Sequence, residues 1–509
     1  MLINQYQLKG SGILLSKMNL EQWCGIDEQI HIAESDEHYK LYAGLHYREE
    51  LLERLAQMKL FNAQIFLNSF SQPRELVSMA LENIADSKTK TLELKLHRVR
   101  NKKIVSKKHT FGRKPVNWST WRQFNNVEKN ANNRKHVFDE FVRNTRYIAP
   151  IISDRFSMIN EVYAEYLNNN RPRGNKKNSK LDPLSGYLEN ENISYSQLIK
   201  FVKSLGQQAK KPFREALRDS SKKILGREPD YYDDFYFFRN RVYADFEKYF
   251  SGIHPINELK KILRVLLFDV SKIQFDYADR RNKYPSPICF FIQIPNDIKI
   301  LFKGESPYFD LQSCFHETGH AIHAISIDPT IEYWNKYNIP MGIAEIFSIF
   351  LERLTKNHNY LKSIVRIKDM KLDEITRRNN FMELFFVTFY AANSLMKAEF
   401  WRKNLSIEQA NDLYSKLIKE YTGFEIPGEY WMLHHILPEA IMYVPSYLLA
   451  AVRAKELNHY MQNKYGENWW REPESGHHLR DIMKPGAKIK LEHFSKLNSR
   501  MFINEITNI

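Results

Sequence analysis

Residues 316 to 320 of this 509-residue chain read His316, Glu317, Thr318, Gly319, His320, and no other stretch constrains the local fold as tightly. Two histidines four positions apart serve one ion only on an α-helix, where i and i+4 project from one face a turn apart. A zinc ion in a hydrolytic site takes three protein ligands and leaves a fourth position for water, so a third group must come from another element. The acids that follow most closely are Asp328, Glu332, Glu345 and Glu352. Asp328 precedes Pro329 at the helix end and Glu332 opens a turn at Tyr333 and Trp334, which suits caps or surface acids. Glu345 sits inside the apolar run Met341, Gly342, Ile343, Ala344, Glu345, Ile346, Phe347, after Pro340, a residue that marks a helix start. A carboxylate buried there is costly unless a cation or a metal pairs with it.

With these residues the chain resembles the thimet oligopeptidase and oligoendopeptidase F group of zinc peptidases, whose members carry a His-Glu-Phe-Gly-His helix and a third ligand, Glu, on the next helix. Glu345 follows His320 by 25 positions, which is similar to that family's spacing. Other zinc-peptidase patterns place the third ligand at Pro340 or Ile339, or want Gly and His where His323 and Ser326 stand. Upstream, Asp279, Arg280 and Lys283 lead through Tyr284, Pro285, Ser286 and Pro287 into Ile288 to Ile292, similar to the family's strand before the zinc helix. Downstream, His434 and His435 precede Tyr443 and Tyr447, resembling the region that faces the substrate carbonyl. The resemblance covers roughly residues 185 to 455. It departs at Thr318, where the family has an aromatic, and at Ile346, Phe347 and Ser348, where it has Pro, Ser, Gln; these departures bear on substrate preference more than on zinc.

The resemblance implies one Zn(2+) per chain held by His316, His320 and Glu345, with Glu317 as general base. It points to His435 with Tyr443 or Tyr447 as donors to the oxyanion, although a tyrosine stripe at helical spacing is more often core. It also implies a mainly α fold, with two helical lobes enclosing a deep channel that admits short unfolded peptides. The activity it implies is that of a zinc metalloendopeptidase, with a carboxypeptidase or dipeptidase mode and an inactive peptide-binding homologue as alternatives.

Periodicity agrees with a helical chain. Segments 37 to 69, 73 to 86, 136 to 168, 194 to 225, 255 to 272 and 366 to 403 carry apolar residues at helical spacing. Ile288 to Ile294 and Ile298 to Phe302, around Pro295, Asn296 and Asp297, read instead as a hairpin beside the zinc helix, giving a small β-sheet near residues 288 to 302. On the helix itself Asp310 suits a cap, and Gly319, Ala321 and Ala324 let another element approach closely. His323 suits packing or a hydrogen bond to a ligand. Glu352, seven beyond Glu345, is placed to orient a ligand histidine or to pair with Arg353 or a neighbour. Cys314 points away from His316 and reads as a small packed hydrophobe.

The best boundary is the basic stretch near residues 170 to 185, which divides an N-terminal helical lobe, 1 to 180, from a catalytic lobe, 181 to 509. Three scattered cysteines, Cys24, Cys289 and Cys314, exclude a disulfide framework. No apolar run is long enough for a membrane span, and the segment Met1 to Gln5 lacks a secretory pattern, so the expected compartment is the cytoplasm. The net charge of +15 concentrates in residues 97 to 114 and 171 to 180. Neither cluster interleaves aromatics convincingly, so nucleic acid is not the expected partner; a solvated basic surface is.

Overall fold

The computed structural model describes residues 74–169, 182–277, 287–302, 304, 306–331, 333–337, 339–434, 437–438, 440–490 and 496–507, with residues 60 and 64 besides. The helix expected over 37 to 69 and the basic stretch 171 to 180 lie almost wholly or wholly outside these residues, as do Cys24, Asp279, Arg280, Lys283 and His435.

In chain order the principal elements are α1 (Arg74–Lys103), β1 (Val105–Phe111), β2 (Lys114–Asn117), α2 (Ala131–Asn144), α3 (Ala149–Asn169) and α4 (Tyr195–Leu225). Then come α5 (Pro255–Val265), β3 (Ile273–Asp276), β4 (Ile288–Gln293), β5 (Asp297–Leu301), α6 (Pro307–Ser326) and α7 (Met341–Glu352). The last are α8 (Asp369–Lys403), α9 (Ile407–Thr422), α10 (Tyr443–Tyr465), α11 (Pro473–Met483) and α12 (Ser499–Thr507), with shorter helical turns between. The protein is mainly α, as expected, and the hairpin β4 and β5 is present in the expected place.

The chain folds into two compact units. One takes residues 1–68, 246–376 and 449–498; the other takes 69–245, 377–448 and 499–509. The units therefore interleave along the chain, whereas the division at residue 180 follows chain order alone, because the chain changes unit within α8 and again within α10.

The first unit holds a three-stranded sheet in the order β3, β5, β4, with β5 parallel to β3 and antiparallel to β4. Strand β3 was not legible as such, since four residues carry too short a period to read. The hairpin packs on α6, and α6 packs along α7 around buried Leu311, Phe315, Ile322, Ile346, Phe347 and Phe350. Helix α6 starts at Pro307, a turn before the expected cap. Asp310 lies inside the first turn and accepts from the Tyr277 hydroxyl at 2.9 Å, while Glu247 takes the Tyr308 N–H at 2.9 Å and so satisfies one of the helix's unpaired first donors.

In the second unit α1 runs to Lys103, far past the expected end at 86, and α2 and α3 break the expected helix 136 to 168 around residues 145–148. The basic cluster 97 to 114 forms the end of α1 and the hairpin β1 and β2. Helix α4 opens on a Ser194 and Gln197 capping box and ends at Gly226 with φ 72°. Its Gly206 lies where an added Cβ would meet the Tyr421 ring at 2.5 Å. The core stacks aromatics, Phe238 on Phe385 at 3.8 Å among them.

Candidate metal centre

His316 and His320 project from α6, and Glu345 reaches them from α7. The Glu345 Oε2 atom is 3.4 Å from His316 Nε2 and 3.6 Å from His320 Nε2, and one ligand atom from each residue lies within 4.8 Å of the others. Ligands at zinc distances on a tetrahedron stand about 3.4 Å apart, so two of the three edges already have the size a single zinc requires.

The two helices can come this close because Gly319 has no side chain. A Cβ there would collide with the Phe347 carbonyl oxygen and with Ser348 Cα. The close approach expected of this glycine is present, and it is what carries Glu345 to the histidines.

Each of the three residues is held by a further group. Glu352 Oε2 meets His316 Nδ1 at 2.8 Å, and Lys356 Nζ donates to the other carboxylate oxygen at 2.8 Å. Both roles open to Glu352 are present: one oxygen meets the His316 ring and the other pairs with a neighbouring cation, Lys356. The His320 ring donates to the Ala344 carbonyl. Ser348 Oγ donates to Glu345 Oε2 at 2.7 Å. Such partners fix ring orientation and tautomer, leaving the other nitrogen to face an ion. Ser348 was legible only as a departure from a family pattern; its spacing of three from Glu345 on a helix is the signal that finds it.

Electrostatics follow the same geometry. Burial pushes the Glu345 carboxyl up, but the adjacent His320 and His316 outweigh it and hold the group down at about 2. Burial opposes a charge on His316, yet its hydrogen bonds to Glu345 and Glu352 raise it well above the ordinary histidine value. Burial dominates at His320, which falls to about 4. A buried carboxylate kept ionised between imidazoles is a donor set for a cation, and its chemistry of two nitrogens and one oxygen suits zinc.

Glu317 lies one residue from the first histidine, and its carboxylate accepts from the backbone N–H of Cys289 on β4. Burial, opposed by the charge of His316, lifts it to about 7. The hairpin therefore anchors this side chain directly, a contact that spacing could not reveal.

Thr318 is fully buried and its hydroxyl donates to the Cys314 carbonyl at 2.7 Å, so this departure from the family motif faces the protein interior rather than a substrate. The expected bearing of Thr318 on substrate preference is corrected accordingly. His323 is buried and packs its ring on Phe347 at 4.6 Å, which is the packing role. Cys314 is buried, as a packed hydrophobe should be. Tyr443 and Tyr447 belong to the second unit, where the Tyr447 hydroxyl donates to that of Tyr443 at 3.0 Å at the start of α10. His435 is outside the described residues; His434 is described and packs on Phe389 at 5.9 Å.

The fold is one seen in solved helical peptidases. It is similar to PZ peptidase A solved with inhibitor 2, at TM-score 0.58 and 16% identity over 92% of this chain and 84% of that one. It is also similar to a structure assigned as an oligoendopeptidase F from Bacillus anthracis, at TM-score 0.57 and 16% identity over 93% and 85%. A third, described as BsuCP, gives TM-score 0.56 and 14% identity over 99% and 97%. At these identities the likeness is one of fold. No curated protein matches the sequence. Residues 269–483, which contain His316, Glu317, His320, Glu345, Tyr443 and Tyr447, match peptidase family M3. On this stretch, less than half of the chain, the sequence is similar to that of peptidase family M3. Among the described residues no helix is long and apolar enough to cross a membrane.

Proposed function

We propose that this protein is a zinc-dependent peptidase that cleaves short unfolded oligopeptides, with His316, His320 and Glu345 as ligands. The observation that carries the reading is the pair of 3.4 and 3.6 Å separations between the histidine nitrogens and one buried Glu345 oxygen. A zinc ion held by His316, His320 and Glu345 would lower the pKa of a bound water towards about 7 and would polarise the scissile carbonyl. Glu317, fixed by the Cys289 N–H, takes the proton of the attacking water and delivers it to the leaving amine. His435 with Tyr443 or Tyr447 donates to the carbonyl oxygen as negative charge develops, a contribution of roughly 3 to 4 kcal/mol per well-placed donor.

Substrate selection follows from strand β4, one of the two edges of its sheet among the described residues. An extended peptide pairing with such an edge is held through its backbone, so affinity does not depend on one side chain. This suits a broad range of short peptides. A cytoplasmic setting agrees with this substrate class.

The test is mass spectrometry of the products when zinc-loaded protein meets a diverse library of short peptides. Internal cleavage is the expected result. Trimming from one end assigns the carboxypeptidase or dipeptidase mode, and peptides bound but uncut identify an inactive binding homologue. Failure to cleave any peptide would overturn the proposal.

A further inference from the structure

We propose that Arg155, Lys397 and Trp401 are positioning residues for the pair Tyr443 and Tyr447, acting through the backbone that leads into α10. This rests on the reading that the pair serves the substrate carbonyl. The described residues between Leu433 and Tyr443 form no helix or strand, so their carbonyls find partners elsewhere. Side chains supply them. Arg122 Nη2 donates to the Leu433 carbonyl at 2.7 Å, Lys397 Nζ to that of Leu437, Arg155 Nη1 to that of Pro438 at 2.9 Å and Trp401 Nε1 to that of Ile441 at 2.7 Å.

Three of these donors, Arg155, Lys397 and Trp401, are buried. A fold that needed only packing at position 397 would use an apolar residue, because desolvating an ammonium is costly. Here the Lys397 ammonium sits over the rings of Phe156 at 4.7 Å, Trp401 at 5.4 Å and Phe400 at 5.7 Å while donating to Leu437. One of the contacts of this buried ammonium is thus to the backbone that leads into α10.

Helix α8 supplies both ends of the device. Phe386, Tyr390, Lys397 and Trp401 follow spacings of four, seven and four, a single stripe along one face. Lys397 and Trp401 hold the incoming backbone up to Ile441, two residues before Tyr443. Tyr390 and Phe386 pack edge-on against the Tyr447 ring at 5.5 and 6.5 Å. Backbone and ring are thus placed by one rigid element, which is how a donor is kept where a charge will form.

The test uses the zinc-loaded full chain and the variants Lys397→Met and Trp401→Phe, which retain stem and ring and remove the donor. The expected result is a fall in kcat of about ten-fold or more with KM changed by less than about two-fold, the signature of an interaction made in the transition state. Zinc content stays at that of the parent, and Lys397→Arg restores most of the rate. Adding Tyr443→Phe or Tyr447→Phe to either variant costs much less than in the parent, because the residues act as one unit. Unchanged kcat in both variants, or losses that multiply with those of the tyrosines, overturns the inference. If Tyr443→Phe and Tyr447→Phe each keep full activity, the reading of the pair fails first and the inference with it. Should Lys397→Met not fold, Trp401→Phe decides alone, since it removes one N–H and no charge.

Discussion

At the scale of single residues, a carboxylate only 2% exposed is stabilised by three partners that converge on its Oε2 atom. Glu345 is shared between two imidazoles and Ser348, and His316 is gripped from behind by Glu352. Loss of a group that orients a ligand histidine costs about 10- to 100-fold in metal affinity, so Glu352→Ala should bind zinc that much more weakly in competition with a chelator. Ser348→Ala should cost about 1.5 to 3 kcal/mol, because a hydrogen bond to a charged carboxylate is lost while Glu345 keeps its histidines. Parental zinc affinity in Glu352→Ala would show that Glu352 does not orient the site.

At the scale of elements, the centre depends on α6 and α7 lying almost backbone to backbone at Gly319. Gly319→Ala is favourable for helix propensity by about 1 kcal/mol, yet it forces the Phe347 carbonyl away and moves Glu345 with it. Overpacking of this kind costs about 1 to 3 kcal/mol, so the expected outcome is a lower melting temperature together with weakened zinc binding. A variant as stable as the parent with unchanged zinc affinity would contradict the apposition. The sequence made α6, α7 and the β4 and β5 hairpin legible, because His316, His320, Glu345, Pro340 and the alternation after Ile288 are strong local signals. It did not reveal the Cys289 N–H on Glu317 or the Ala344 carbonyl on His320, since backbone groups carry no residue signature. Nor did it separate Thr318 from the substrate side, because a threonine bonding its own helix reads the same as one facing outward.

At the scale of the whole molecule, the proposed zinc ligands are gathered from two sequential helices of one unit, while the second unit has polar clusters of its own. Buried Asp233 there receives Arg134, two bonds from Arg227 at 2.6 and 3.0 Å and the Asp230 N–H at 2.8 Å. Burial raises its pKa, but these donors outweigh burial and hold it below the ordinary 3.8. Folded protein then binds fewer protons at this site than unfolded protein. Its contribution is fully present above the unfolded value and is lost as pH falls through the lower folded one. Asp233→Asn should cost roughly 3 to 5 kcal/mol at neutral pH, where Arg134 is left buried, and should blunt the fall in stability at acid pH; thermal unfolding at several pH values measures both. A parent-like melting temperature at neutral pH would contradict this. In the proposed mechanism turnover depends on Glu317 acting as base beside a zinc that it does not hold. Elemental analysis of Glu317→Gln together with its turnover of a cleaved peptide tests this directly. The predicted result is parental zinc content with kcat reduced by about 10²- to 10⁴-fold; parental zinc with undiminished turnover would contradict it.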